Sequence, residues 1–233
     1  MLDDPVVTDR STPPPSLLRW TALCAAAETL GMAASAVATR TAQTLVADPA
    51  RGLWIIVAGG LIEGMALGVA QGAGLARWLH GRRLRWVLVT VLVAGIGWAA
   101  GSAPAALTTD EGGGEPPRLL ILAGAAGLGL VMGALLGAAQ AVVLRGRAAH
   151  PWRWIPASAL GWTAAMPVVF LGAGFAGADW PLAAVAALGA VTGMVGGAVL
   201  GLVSGPFLRT LQGPRVRNGR ADASGGRIGT ARR

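Results

Sequence analysis

The sequence predicts an all-α integral membrane protein. Six transmembrane helices form three tandem two-helix repeats, related by a pseudo-threefold axis along the membrane normal. Three observations predict this: long uncharged apolar stretches, an alternation of arginine-rich and arginine-poor connectors, and glycines recurring every fourth residue at matching positions. Leu119 to Leu144 and Trp86 to Thr109 contain no ionisable group. Each is longer than the about 20 residues that cross a hydrocarbon core about 30 Å thick. Both are apolar all round, whereas a helix on a water-soluble core has one polar face. Composition agrees, with 54% hydrophobic and 13% charged residues and a mean hydropathy of +0.58. A soluble domain carries about 25% charged residues.

Taken in order, residues 1–16 are polar, acidic and proline-rich (Pro13-Pro14-Pro15), which predicts a disordered tail. The first span covers about 17–39. Ala34-Ser35-Ala36 resembles a signal-peptide cleavage site, but Glu28 interrupts the apolar region such a peptide needs. Further spans are expected over about 53–76, 86–107, 119–144, 154–176 and 182–208, so the repeats run about 17–79, 85–145 and 153–208. Turn signals separate them: Asp48-Pro49, Gly81, Gly112-Gly113-Gly114 before Pro116-Pro117, His150-Pro151, and Asp179 before Pro181. Residues 209–233 are arginine- and glycine-rich and are expected to be a second disordered tail.

Orientation follows from the arginines, which make up all 19 basic residues. Arg77, Arg82, Arg83 and Arg85 join spans two and three, and Arg145, Arg147 and Arg153 join spans four and five. Arg209 and six more follow the last span. The connector between spans three and four instead holds Asp110, Glu111 and Glu115 against Arg118, and the next outer connector holds Asp179. Arg40 and Arg51 between spans one and two are a mild dissent. The positive-inside rule then places both termini in the cytoplasm.

The repeat has two recurring parts. Arg19-Trp20, Arg85-Trp86 and Arg153-Trp154 open the odd spans. The even spans carry Gly60, Gly64, Gly68 and Gly72; Gly129, Gly133 and Gly137; and Gly189, Gly193, Gly197 and Gly201, continued by Gly205. Aligning Gly64, Gly133 and Gly193 registers the rest without gaps. In lipid, helices associate through close van der Waals fit, and such a row offers a flat groove for a neighbour at a crossing of about −40°. Spans two, four and six are therefore expected to form an inner contact, with spans one, three and five outside. The Arg-Trp pairs are expected to anchor at the interface, with Trp at the headgroups and Arg reaching the aqueous side.

Glu28 and Glu63, each near the middle of its span, are the candidate proton, cation or ligand residues. An acidic group at that depth costs on the order of 2.5–3.5 kcal/mol on the insertion scale, so it faces protein or water. One reading is a path for protons or cations; the other is a neutral side chain bonded to a neighbouring helix. Gln71 and Gln140, at matching positions, read as interhelical hydrogen-bonding residues. No catalytic set, metal site or cofactor is expected. His80 and His150 lie in loops beside arginines, without further ligands at metal spacing. The single Cys24 excludes an internal disulfide and reads as a small apolar filler.

The element Gly-xxx-Gly-xx-Gln (Gly64, Gly68, Gln71; Gly133, Gly137, Gln140), followed by Leu and Arg, an Arg/His-rich loop and a Trp opening the next span, resembles a group of uncharacterised bacterial multi-span membrane proteins. The resemblance covers about residues 60–208; the third copy has Leu200 in place of the Gln. It implies a membrane location and gives no guide to activity; the expected location is the bacterial cytoplasmic membrane. The expected function is a non-enzymatic scaffold, assembly or lipid-interacting protein. The alternative is a small transporter or channel using Glu28 and Glu63. Expected partners are the bilayer, anionic lipids through the C-terminal arginines, and a membrane-protein partner or second copy; no nucleic acid is expected.

Overall fold

The computed structural model describes residues 14–107 and 117–212. Asp110, Glu111, Glu115 and the arginines after Arg209 lie outside the described residues, as do most of both predicted tails. Among the described residues there are six long helices: α1 (Leu17–Leu45), α2 (Pro49–Gly74), α3 (Arg83–Leu107), α4 (Arg118–Leu144), α5 (Trp154–Ala173) and α6 (Leu182–Ser204). Pro151–Arg153 and Gly205–Leu211 form 3₁₀ segments. All six helices are long and apolar enough to cross a membrane, and the chain is a multi-pass membrane protein. Large apolar side chains such as Leu30, Leu92, Leu119, Val142 and Leu202 are exposed around the bundle, where lipid is their solvent.

Local chemistry sets the helix ends. The Ser16 hydroxyl accepts from the Arg19 amide at 3.2 Å, so this residue of the expected tail is the N-cap of α1. Asp48 caps α2 through the Ala50 amide at 2.9 Å, with Pro49 at the first helical position, where its missing N–H costs nothing. Helix α1 continues past Thr39 to Leu45, and Arg40 on that extension donates to the carbonyls of Ala178 (2.8 Å) and Gly177 (2.5 Å). Gly81 and Gly146 adopt φ of +68° and +71° in the two short connectors α2–α3 and α4–α5, a conformation L side chains resist. The first residues of the expected tail from Arg209 are folded: Leu211 is buried beside Leu208, and the Ala149 amide donates to the Leu211 carbonyl.

Each helix packs on its neighbours in the chain, and α6 packs on α1, which closes the six into a ring. This corrects the expected inner contact of α2, α4 and α6. The glycine rows are used, but each seats an odd-numbered helix: α2 seats α3, α4 seats α5, and α6 seats α1. A Cβ on Gly64 would lie 3.0 Å from the Val91 Cα, and one on Gly133 would lie 2.7 Å from the Ser158 carbonyl oxygen. On Gly197 it would meet the Ala25 Cα at 2.8 Å. The physical reason is on the odd helices. They carry the buried polar groups Glu28, Thr90 and Ser158, which outer helices would turn toward lipid.

Candidate functional site

The ring has two unlike levels. At the level of the α2–α3 and α4–α5 connectors it is filled. Trp20, Trp86 and Trp154 are 0%, 0% and 1% exposed and pack together with Leu75, Leu79, Leu144, Leu208 and Leu211. The Trp20 and Trp154 rings meet edge to face at 5.7 Å, and Trp86 and Trp154 lie 6.1 Å apart. The tryptophans are therefore core residues and do not reach headgroups as interface anchors do. Arg19, Arg85 and Arg153 beside them stay exposed. The reason is geometry: successive residues of a helix point about 100° apart, so an Arg-Trp pair sends one side chain outward and the other inward.

The polar groups at this level bond to one another. Trp154 Nε1 donates to Gln140 Oε1 at 2.7 Å, and Gln140 Nε2 donates to Thr90 Oγ1 at 2.9 Å and Gln71 Oε1 at 3.3 Å. The Thr90 hydroxyl donates in turn to the Trp86 carbonyl. Trp20 Nε1 donates to Ser204 Oγ at 3.0 Å, and Ser204 donates to the Leu200 carbonyl. Trp86 Nε1 has no hydrogen-bond partner among the described residues.

Toward the middle of the helices the ring holds a partly open cavity of about 160 Å³, bordered by residues of α1 to α5. Its walls are chiefly apolar, with Leu67, Val93, Met132 and Met166 among them, and Glu63 is the one ionisable wall residue among the described residues. Glu63 Oε2 accepts from Ser35 Oγ and Trp98 Nε1, both at 3.0 Å, so α1 and α3 hold the carboxyl group of α2 in place. Glu28 is 3% exposed and lies behind that wall, one turn before Gly31, where an added Cβ would stand 2.8 Å from the Glu63 Cα. Its Oε1 has no hydrogen-bond partner among the described residues. Helix α6 lies directly against it, since a Cβ on Gly197 would stand 2.8 Å from the Glu28 Cβ.

A second, outer cavity of about 430 Å³ lies between α1, α5 and α6, toward Arg40 and Ala178. Met32, Trp98 and Val169 border both cavities. Cys24 is buried in the tryptophan level and borders neither cavity.

The structure thus brings Glu28 and Glu63 near each other and joins Gln71 to Gln140, but it keeps the two pairs on separate levels. Ser35, Thr90, Trp98 and Trp162 were not singled out from the sequence. A signal for two of them existed in helical spacing: Thr90 lies four residues after Trp86, and Ser35 seven after Glu28, each on its partner's face, whereas Trp98, twelve after Trp86, is turned about 120° away from it. Comparison with known protein families, with characterised proteins and with solved structures returns no match for the chain.

Proposed function

We propose that the chain is a non-enzymatic, lipid-interacting protein of a bacterial cytoplasmic membrane. On this reading its ring of helices receives an apolar or amphiphilic guest from the bilayer. The observation that carries the reading is the mid-depth cavity: apolar walls, a single wall carboxyl group, and a filled level beneath it. Its volume matches a small aromatic molecule or a short section of acyl chain, since an apolar cavity of about 150 Å³ holds benzene. It borders the α3–α4 seam, where Gly97 and Gly101 face only the flexible ends of Met132 and Leu128.

The same reading includes three tandem units about a pseudo-threefold axis. It is supported by one packing relation used three times, an even helix seating an odd one through its glycine row. Cytoplasmic termini are supported by Arg82, Arg83, Arg85, Arg145, Arg147, Arg153 and Arg209 at the tryptophan level. The opposite end has Arg40, Arg51 and Arg118, with Arg51 paired to Asp48 at 3.4 Å.

Native mass spectrometry of protein released from lipid nanodiscs tests the guest. A co-purifying guest is expected in the wild type and its loss in Gly101→Leu. A side chain there fills the cavity, and its Cβ meets nothing closer than Leu128 Cδ2 at 3.5 Å. Equal occupancy in a folded Gly101→Leu protein sinks the reading.

One observation favours transport as a second reading. Trp98, bonded to Glu63, borders both cavities together with Met32 and Val169, so the outer chamber adjoins the inner one at the side chain that holds the carboxyl group. Dye-reported proton flux into proteoliposomes under a cation gradient separates the two. Flux that vanishes in a folded Glu28→Gln/Glu63→Gln protein establishes transport, and the absence of flux from both proteins removes proton-coupled transport.

A further inference from the structure

We propose that the guest of the mid-depth cavity is a small lipophilic organic cation, such as an aryl or alkyl quaternary ammonium, with its charge beside Glu63. The proposal rests on the guest-binding reading above and gives the guest its chemistry.

Charge in the middle of the ring is unbalanced. Two carboxyl groups, Glu63 in the cavity wall and Glu28 behind it, occupy the middle of the ring. Among the described residues no arginine or histidine borders the cavity. Arg40 borders only the outer chamber, and Arg82 is tied to the carbonyls of Val143 and Arg145 in the filled level. Ser35 and Trp98 give Glu63 two neutral donors, and Glu28 Oε1 receives none among the described residues. The site is rich in acceptors and poor in positive charge, and an opposite charge is the partner a buried carboxylate favours most.

The walls decide which kind of cation. A sodium or calcium ion needs several oxygen ligands. This cavity offers chiefly carbon and sulfur surface, and its oxygens are too few to replace a hydration shell. A quaternary ammonium carries its charge under methyl groups and asks for apolar contact instead. Trp98 and Trp162 supply aromatic surface of the kind that attracts such cations, an interaction worth about 2 kcal/mol when desolvated. Met132 and Met166 supply thioether arms that adapt to different shapes. Trp98 ties these features together, since its N–H holds the carboxyl group while its ring borders the cavity.

A pair of isosteres tests this. Phenyltrimethylammonium and tert-butylbenzene share one shape and differ by one charge. Each is titrated into purified protein in uncharged detergent, wild type beside Glu63→Gln, with quenching of tryptophan fluorescence and the shift in melting temperature as readouts. The wild type is expected to bind the cation about tenfold more tightly than the hydrocarbon, and Glu63→Gln to lose that preference while still binding the hydrocarbon. Binding of the hydrocarbon without preference for the cation overturns the proposal and leaves the guest-binding reading standing. Binding of neither sinks both. Should Glu63→Gln not fold, carbodiimide labelling of Glu63 in the wild type, mapped by mass spectrometry, answers instead. The cation is expected to slow labelling several-fold, and an unchanged rate overturns the proposal.

Discussion

The filled level and the chamber above it are built from the same helices, yet they treat polar groups in opposite ways. In the filled level Gln140 joins Trp154, Thr90 and Gln71 in one network, and Ser204 serves Trp20. Most of its polar atoms meet one another within a packing of tryptophan and leucine. In the chamber, Glu63 shares two neutral donors and faces open space, and Glu28 keeps an oxygen without a partner among the described residues. A buried polar network that is mostly satisfied rigidifies its surroundings. A buried acid short of partners is a device for recognising something else. The comparison teaches that burial depth alone does not mark a functional group. Gln140, 1% exposed, and Glu63, 6% exposed, are buried almost alike, and what differs is how much of each side chain's chemistry the protein itself consumes.

Substitutions act differently on the two levels. The largest effect is expected where both levels depend on the same scaffold. Gly193→Leu would drive a side chain into the Glu28 backbone of α1 and is expected to cost about 3 kcal/mol or more, seen as loss of a monodisperse folded species. Gly127→Leu, with nothing within 4 Å of a Cβ, is expected to change stability by less than about 0.5 kcal/mol. Wild-type melting of Gly193→Leu overturns the seating of α1 on α6. An intermediate effect is expected from Gln140→Leu, which strands the Trp154 N–H and costs about 1–2 kcal/mol in a thermal or denaturant melt. Within the chamber a smaller effect than that of Gln140→Leu is expected from Glu63→Gln, whose amide oxygen still accepts from Ser35 and Trp98, so stability moves by no more than about 1 kcal/mol. Should Glu63→Gln cost more than Gln140→Leu, Glu63 is a structural residue and the contrast between the two levels collapses.

The elements themselves were legible in the sequence, because transfer of backbone into lipid requires long helices whose apolar runs can be read directly. Their ends were less so. The extension of α1 from Arg40 to Leu45 is polar, and it is held partly by a loop 137 residues away that no local pattern reveals. The glycine rows announced close packing but not the partner, since a flat groove accepts any helix that fits. Partner choice came from the odd helices, where Trp20, Cys24 and Glu28 share one face, as do Trp86, Thr90 and Ala94. Following those faces places the tryptophans inside. The two glutamates stood out because charge at that depth is rare, whereas Trp98 and Ser35 gained meaning only once the fold set them beside Glu63.

Ring closure between α6 and α1 also bears on how the protein is made. Helix α1 leaves the ribosome first, carrying Glu28 and the indole N–H of Trp20 on the face that α6 covers. Ser204, which accepts from that indole, is translated 184 residues later. During that interval α1 sits in or beside the insertion machinery with a carboxyl group on an open face, a costly state in lipid. Membrane insertion is therefore a holding problem before it is a folding problem. Helix α1 needs a temporary neighbour, whether the insertion channel itself or a chaperone in the bilayer, until α6 arrives to take that place.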